Sequence, residues 1–201
     1  MPDLYIIAGC NGAGKTTASY TILPEMLNCQ EFINADNIAA QLSPGDPETA
    51  ALQAGRIMLT KIKDLVSKGQ TFAFETTLSS KTYLPFIQDA KLKGYNISLI
   101  FFWLDSPEAA KLRVKERVAH GGHNIPVDVI ERRYKRGLEN FFFMYAPISH
   151  VWILVNNSLR ETEVIAKGEL NQVSEIKNSD IWDTIKKQTN GLTTEKRRGI
   201  R

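Results

Sequence analysis

Short apolar runs alternate with longer amphipathic stretches along most of the chain. "LYIIAG" reads as a strand and "KTTASYTILPEML" as the helix after it. "EFINAD" reads as a second strand ending at Asp36, and "NIAAQLSPGDP" as a short helix broken at Pro44 and Pro47. In "PETAALQAGRIMLTKIKDLVSKG", Leu52, Ile57, Leu59, Ile62, Leu65 and Val66 recur at roughly helical spacing, and Gly69 ends the helix. "TFAFET" is a third strand, and "YLPFIQDAKLKG" is helical around Pro85. "NISLIFFWLD" is a long, continuously apolar strand, as expected when both faces of a sheet are covered. "SPEAAKLRVKERVAH" opens with Ser106 as N-cap and Pro107 in the first helical position. A glycine-rich break, "GGHNIP", separates it from the helix "VDVIERRYKRGLENFFFMY". "HVWILVN" is a fifth strand, and the polar remainder carries a helix around Trp182.

Strands separated by helices imply right-handed crossovers and a mostly parallel sheet. The expectation is an α/β protein of three layers, α/β/α, with a five-stranded sheet and a helical lid at about residues 113–136. One domain spans 1–189, and 190–201 form a basic, mobile tail. A length of 201 residues, 43% hydrophobic, fits one domain with one sizeable core. A net charge of +3 is too small to imply nucleic acid by itself. No apolar run approaches the roughly 20 residues that cross a bilayer. The N-terminal "MPDLYIIAGCNG" lacks the basic region and cleavage site of a secretory signal. Of the two cysteines, Cys10 lies inside a glycine-rich stretch, which argues against a structural disulfide and for a reducing cytoplasm.

That stretch, "GCNGAGKTT", carries the most specific chemistry. Gly9, four residues, then Gly14, Lys15 and Thr16 complete the phosphate-loop pattern between a strand and a helix. The expected nucleotide-binding set is Gly9, Asn11, Gly12, Ala13, Gly14, Lys15, Thr16 and Thr17. Glycines let the backbone turn so that N–H groups point at phosphate oxygens. Lys15 would reach the β- and γ-phosphates of ATP, and the Thr16 hydroxyl would hold Mg²⁺. The helix N-terminus adds its positive end. The fold class is therefore that of the P-loop NTPases.

Other residues decide between hydrolysis and transfer. Asp36 follows Lys15 by 21 residues and falls where open α/β sheets hold ligands. Its carboxylate could take the proton of an attacking hydroxyl, or cap the next helix. Glu75 and Thr77 end the third strand at the same edge, where Glu75 could orient Mg²⁺-bound water or a substrate hydroxyl. Arg113, Arg117, Arg132, Arg133 and Arg136 flank the glycine-rich turn like the arginines of a closing lid. Arg133 is favoured over Arg132 for phosphate, and a solvated basic face is the alternative. His120 and His123 are a weak metal pair, with no cysteine nearby. Asp105, closing an apolar strand, could order Mg²⁺ as in ATPases. The Phe141–Phe143 run and Trp152 read as core.

Together "GCNGAGKTT", "FINADNIA", "FAFETTLS", "RVAHGGHNIP" and "RRYKRGLENFF" resemble the zeta-toxin-like P-loop kinases, over roughly residues 4–157. The branch of greatest similarity is that of short bacterial proteins labelled predicted ABC-type ATPase or zeta toxin family protein. The resemblance implies a Mg²⁺-dependent kinase that phosphorylates UDP-N-acetylglucosamine at a sugar hydroxyl and is neutralised by a small antitoxin. It also implies residue roles. Lys15 and Thr16 match the loop lysine and Mg²⁺ ligand, and Asp36 the catalytic base. Glu75 and Thr77 match an E-x-T substrate motif, and Arg117 and Arg133 a γ-phosphate clamp. The family's toxins often carry an arginine shortly after the E-x-T; Ser79 stands there in this chain.

Two other functions fit the same residues. One is a nucleotide-gated ATP-binding protein or slow ATPase acting through a protein partner. The other is a polynucleotide 5′-hydroxyl kinase. Residues 111–136 carry eight Lys and Arg against three Asp and Glu, which permits nucleic acid, but a basic lid is already explained by ATP.

Overall fold

Among the described residues seven strands, numbered in chain order, form one sheet in the order β2-β3-β1-β4-β5-β6-β7. The computed structural model describes residues 1–122, 124–159, 161–170 and 172–198, apart from the side chains of 24–26 and 190–198. His123, one half of the weak metal pair, lies outside the described residues. Strands β1 (Asp3–Gly9), β2 (Phe32–Ile33), β3 (Phe72–Thr76), β4 (Asn96–Trp103) and β5 (Val151–Asn156) are parallel, as the alternating pattern requires. The sheet does not stop at five strands. β6 (Glu163–Glu169) and β7 (Gln172–Ile176) extend it as an antiparallel pair. β7 escapes a pattern reading because it is exposed at every position and so has no buried face to alternate with, and β6 because its apolar run is only three residues, Val164 to Ala166.

The outer layers hold the α-helices α1 (Lys15–Met26), α2 (Ala35–Leu42), α3 (Ala51–Ser67), α4 (Leu84–Leu92), α5 (Pro107–Ala119), α6 (Val127–Asn140) and α7 (Ser179–Arg198). Alternation along β1 sorts the core. Leu4, Ile6 and Ala8 face a cluster that includes Met58 and Ile62 of α3, Ile87 of α4 and Trp182 of α7. Ile7 faces the other cluster, with Leu23 of α1, Ala110 and Val114 of α5, and Ile130 of α6. Burial on this scale, at roughly 25 cal/mol per Å² of apolar surface, is the main force holding the layers together. The stripe that α3 buries is Ala54, Met58, Ile62, Leu65 and Val66, whereas Leu52 is exposed. α7 continues to Arg198, into the segment expected to be a tail. No helix among the described residues is long and apolar enough to cross a membrane.

α6 joins the two halves of the core. Ile130 and Tyr134 pack with one cluster, and Leu138 with the other. Its axis continues as a wide π turn over Phe141–Tyr145, where Phe141 packs on Phe101 and Trp152. The expected lid helices are thus anchored to the sheet through Ala110, Val114, Ile130, Tyr134 and Leu138.

Candidate functional site

The glycine-rich loop leaves β1 at its C-terminal edge and enters α1 through Gly14. Gly14 is the N-cap in the left-handed region, at φ 80°, a conformation that glycine adopts without steric cost. A Cβ at Gly9 would collide with the carbonyl oxygen of Phe102 on β4, so the loop starts only with glycine. Across the loop, the Asn157 amide donates to Ala13 O at 2.8 Å, pinning it from the end of β5. The Lys15 side chain turns back over the loop. Its ammonium donates to Cys10 O at 2.9 Å and pairs with Glu75 Oε1 at 3.5 Å, with only 6% of the lysine side chain and 10% of the glutamate exposed.

Glu75 is the hub of the site. β3 runs beside β1 with Ile7 opposite Glu75, so the carboxylate meets the start of α1. Glu75 Oε2 accepts from the Thr16 hydroxyl at 2.7 Å and from the Asn34 amide at 2.8 Å. Asn34 in turn caps α2, its Oδ1 accepting the N–H groups of Asp36 at 2.7 Å and Asn37 at 3.3 Å. This corrects the placement of Asp36: β2 ends at Ile33, and Asp36 sits in the first turn of α2 rather than at a strand end. The physical reason is that only Phe32 and Ile33 pair with β3, after which Asn34 opens the helix. The signal was present in the sequence, since Asn is a favoured N-cap and an acidic residue two places later suits the first turn.

A cavity of about 240 Å³ opens between these elements. Asn11, Lys15, Asn34, Asp36, Glu75 and Arg133 line its loop end, and Thr77, Ser79, Ser80 and Tyr83 are among its remaining walls. Arg133 reaches in from α6, with its Nη1 donating to Asn11 Oδ1 at 3.1 Å. Burial lowers its pKa and the negative charge of Asp36 opposes that; a guanidinium stays charged throughout the working range. Arg132, next to it, is exposed. Thr16 sits at Glu75, while Thr17 is exposed on the first turn of α1.

Arg117, expected in the phosphate clamp, and Asp105, the alternative metal carboxylate, do not line this cavity. Arg117 lies exposed at the last turn of α5, its carbonyl accepting from Gly122 N–H at 2.9 Å and its side chain close to Gly122. Asp105 lies beyond the end of β4, exposed, and accepts from the neighbouring Ser106 hydroxyl at 2.9 Å. The carboxylate beside the Thr16 hydroxyl is therefore Glu75, from the adjacent strand. Arg113 donates to Ser158 O at 3.1 Å, which ties α5 to the segment after β5.

The site's oxygen donors suit Mg²⁺. Thr16 Oγ1 and Glu75 Oε2 are hard ligands held together, and no cluster of three or more His, Cys, Asp or Glu exists among the described residues. Cys10, beside the loop, is buried, and burial pushes its thiol up to about 11, so it is an inert packing group.

A mostly parallel sheet with this strand order, a phosphate loop closed on Lys15, and carboxylates at the same edge define the P-loop fold by class. Residues 1–169 match the Zeta toxin family, and the chain belongs to that family. An uncharacterized protein of Haemophilus influenzae (strain ATCC 51907 / DSM 11121 / KW20 / Rd) is 31% identical over 126 residues, covering 63% of this chain and 88% of that protein. Among solved structures, the complex of AvrRxo1-ORF1 and AvrRxo1-ORF2 with sulphate ions aligns at a TM-score of 0.69 and 16% identity. It covers 92% of this chain, which spans only 63% of that one. The PezAT chromosomal toxin-antitoxin system of the human pathogen Streptococcus pneumoniae aligns at 0.64 and 18% identity, over 96% of this chain and 88% of that one. At such identities these structures share the fold.

Proposed function

We propose that this protein is an ATP- and Mg²⁺-dependent kinase that transfers the γ-phosphoryl group to a hydroxyl of a small substrate, as a toxin held in check by an antitoxin protein. The observation that carries the reading is the single cavity onto which Lys15, Asp36, Glu75, Thr77 and Arg133 converge. Membership of the Zeta toxin family supports it, and the resemblance described above makes UDP-N-acetylglucosamine one acceptor to test.

The chain's own residues divide the work. Loop N–H groups and Lys15 bind the β- and γ-phosphates, and Lys15 exchanges its Glu75 partner for them. Thr16 and Glu75 would hold Mg²⁺, which supplies charge neutralisation on the phosphates when bound. Asp36 accepts the proton of the acceptor hydroxyl. The acceptor oxygen then bonds to the γ-phosphorus as the bond to the β-bridging oxygen breaks, and ADP leaves. Arg133, held by Asn11, stabilises charge on the transferring group. Arg117 would join it only through a movement of the end of α5.

The test is transfer from γ-labelled ATP with Mg²⁺, using wild type and Lys15→Met. UDP-N-acetylglucosamine, free sugars, nucleosides and 5′-hydroxyl oligonucleotides serve as acceptors. A labelled small product with wild type that is lost in the variant is expected. Free phosphate alone would favour a nucleotide-gated protein acting through a partner. Product on oligonucleotides alone, with steep salt dependence, would favour a polynucleotide kinase.

A further inference from the structure

β2 and β3 bring two side chains together just past their paired residues. Ile33 stands opposite Phe74, so the residues that follow, Asn34 and Glu75, meet at the edge of the sheet. Asn34 is only 5% exposed, and both ends of its amide are used. Its Nδ2 donates to Glu75 Oε2 at 2.8 Å and lies 3.5 Å from Thr16 Oγ1. Its Oδ1 accepts the N–H groups of Asp36 at 2.7 Å and Asn37 at 3.3 Å. Turning the amide over would set its oxygen against the Glu75 carboxylate and its NH₂ against the N–H donors of α2, so one orientation is fixed. A helix N-cap needs only an oxygen acceptor, which serine supplies as well as asparagine. The second bond, from the cap to β3 across 41 positions of sequence, goes beyond that need.

The shorter of the two cap bonds goes to Asp36, whose side chain lines the cavity with Lys15, Glu75 and Arg133. Glu75 in turn holds Lys15 and Thr16 of the phosphate loop. One side chain thus sets the separation between the phosphate loop's carboxylate partner and the backbone that carries Asp36. We infer that Asn34 is a positioning residue for Asp36. Through Glu75 it fixes the start of α2 relative to the phosphate loop, and so fixes where the Asp36 carboxylate stands when a hydroxyl is to be deprotonated. A misplacement of about 1 Å can cost about 10²-fold in rate, so the bond to Glu75 matters to turnover more than to folding. This rests on the kinase reading and adds a residue to it.

The experiment uses γ-labelled ATP and whichever acceptor of the panel above wild type labels. It measures kcat, the KM for ATP and thermal melting for wild type, Asn34→Ala, Asn34→Ser, Asp36→Asn, and Asn34→Ala combined with Asp36→Asn. Asn34→Ala is expected to lower kcat about 10- to 10²-fold, with the KM for ATP within about threefold of wild type. Its melting temperature should fall by about 2–4 °C. Asn34→Ser keeps a cap oxygen but is too short to reach Glu75, so it should recover the melting temperature and not kcat. In the Asp36→Asn background, Asn34→Ala should cost less than about threefold more, because the group it positions is already disabled. Recovery of kcat by Asn34→Ser would reduce Asn34 to a helix cap and overturn the inference, as would fully multiplicative losses in the double variant. Either result leaves the kinase reading standing. Free phosphate alone from wild type with every acceptor overturns both.

Discussion

Glu75 joins three parts of the site that are far apart in sequence. It pairs with Lys15, accepts from Thr16 and accepts from Asn34, the cap of the helix that carries Asp36. Glu75→Gln keeps the shape and removes the charge. It is expected to lower the stability of the nucleotide-free protein by about 1–3 kcal/mol in urea titration and the transfer rate by at least about 10²-fold. An unchanged rate would contradict its proposed part in holding Mg²⁺. The loop residues were legible in sequence because their pattern is local and its flanks are a strand and a helix. Glu75 and Thr77 were legible as residues ending an apolar strand. The capping role of Asn34 is hidden in the sequence because "EFINAD" reads as strand through Asp36, although only Phe32 and Ile33 pair. Asp105 matched the pattern of an ATPase carboxylate, but the strand register leaves it past the end of β4.

At the scale of elements, α6 does two jobs. One turn carries Arg133 to the loop, and the next braces the cavity wall formed by Thr77, Ser79 and Ser80. Gly137 lies against the Thr77 carbonyl so closely that a Cβ would collide with it. Asn140 donates to Leu78 O at 2.6 Å, and the Tyr145 hydroxyl donates to Ser80 O at 2.6 Å. Leu78 sits at φ 54°, a left-handed conformation that leucine rarely adopts, so these bonds hold the wall in a backbone shape it would otherwise leave. Asn140→Ala is expected to cost about 1–3 kcal/mol and to raise acceptor KM while sparing the KM for ATP. Equal changes in the two would contradict a brace specific to this wall. Gly137→Ala should be destabilising by about 1–3 kcal/mol in the same titration. None of this was legible in sequence, because it depends on which residues of a helix meet a loop some 60 positions away.

Across the whole molecule, the parallel core was legible because strand and helix periods alternate; β6 was not because its apolar run is only Val164, Ile165 and Ala166, and β7 because it is exposed throughout. His150 gives the fold a pH dependence. Its Nδ1 accepts the Ile97 N–H at 2.9 Å, and burial, with the Lys91 charge, holds its pKa below the ordinary value. The unfolded chain therefore binds the proton more readily than the folded one. This contribution to stability is full above the ordinary value of about 6.5 and is lost as pH falls through the lower folded value. Urea midpoints measured between pH 7.5 and 5 should fall less steeply for His150→Asn than for wild type; identical slopes would contradict this. The central claim is that one edge of the sheet holds ATP and deprotonates an acceptor. Single-turnover transfer from γ-labelled ATP to the preferred acceptor, in wild type and Asp36→Asn, tests it most directly. The account predicts a loss of about 10²–10⁴-fold with MgATP affinity within about twofold of wild type. Equal transfer rates in the two proteins would contradict it.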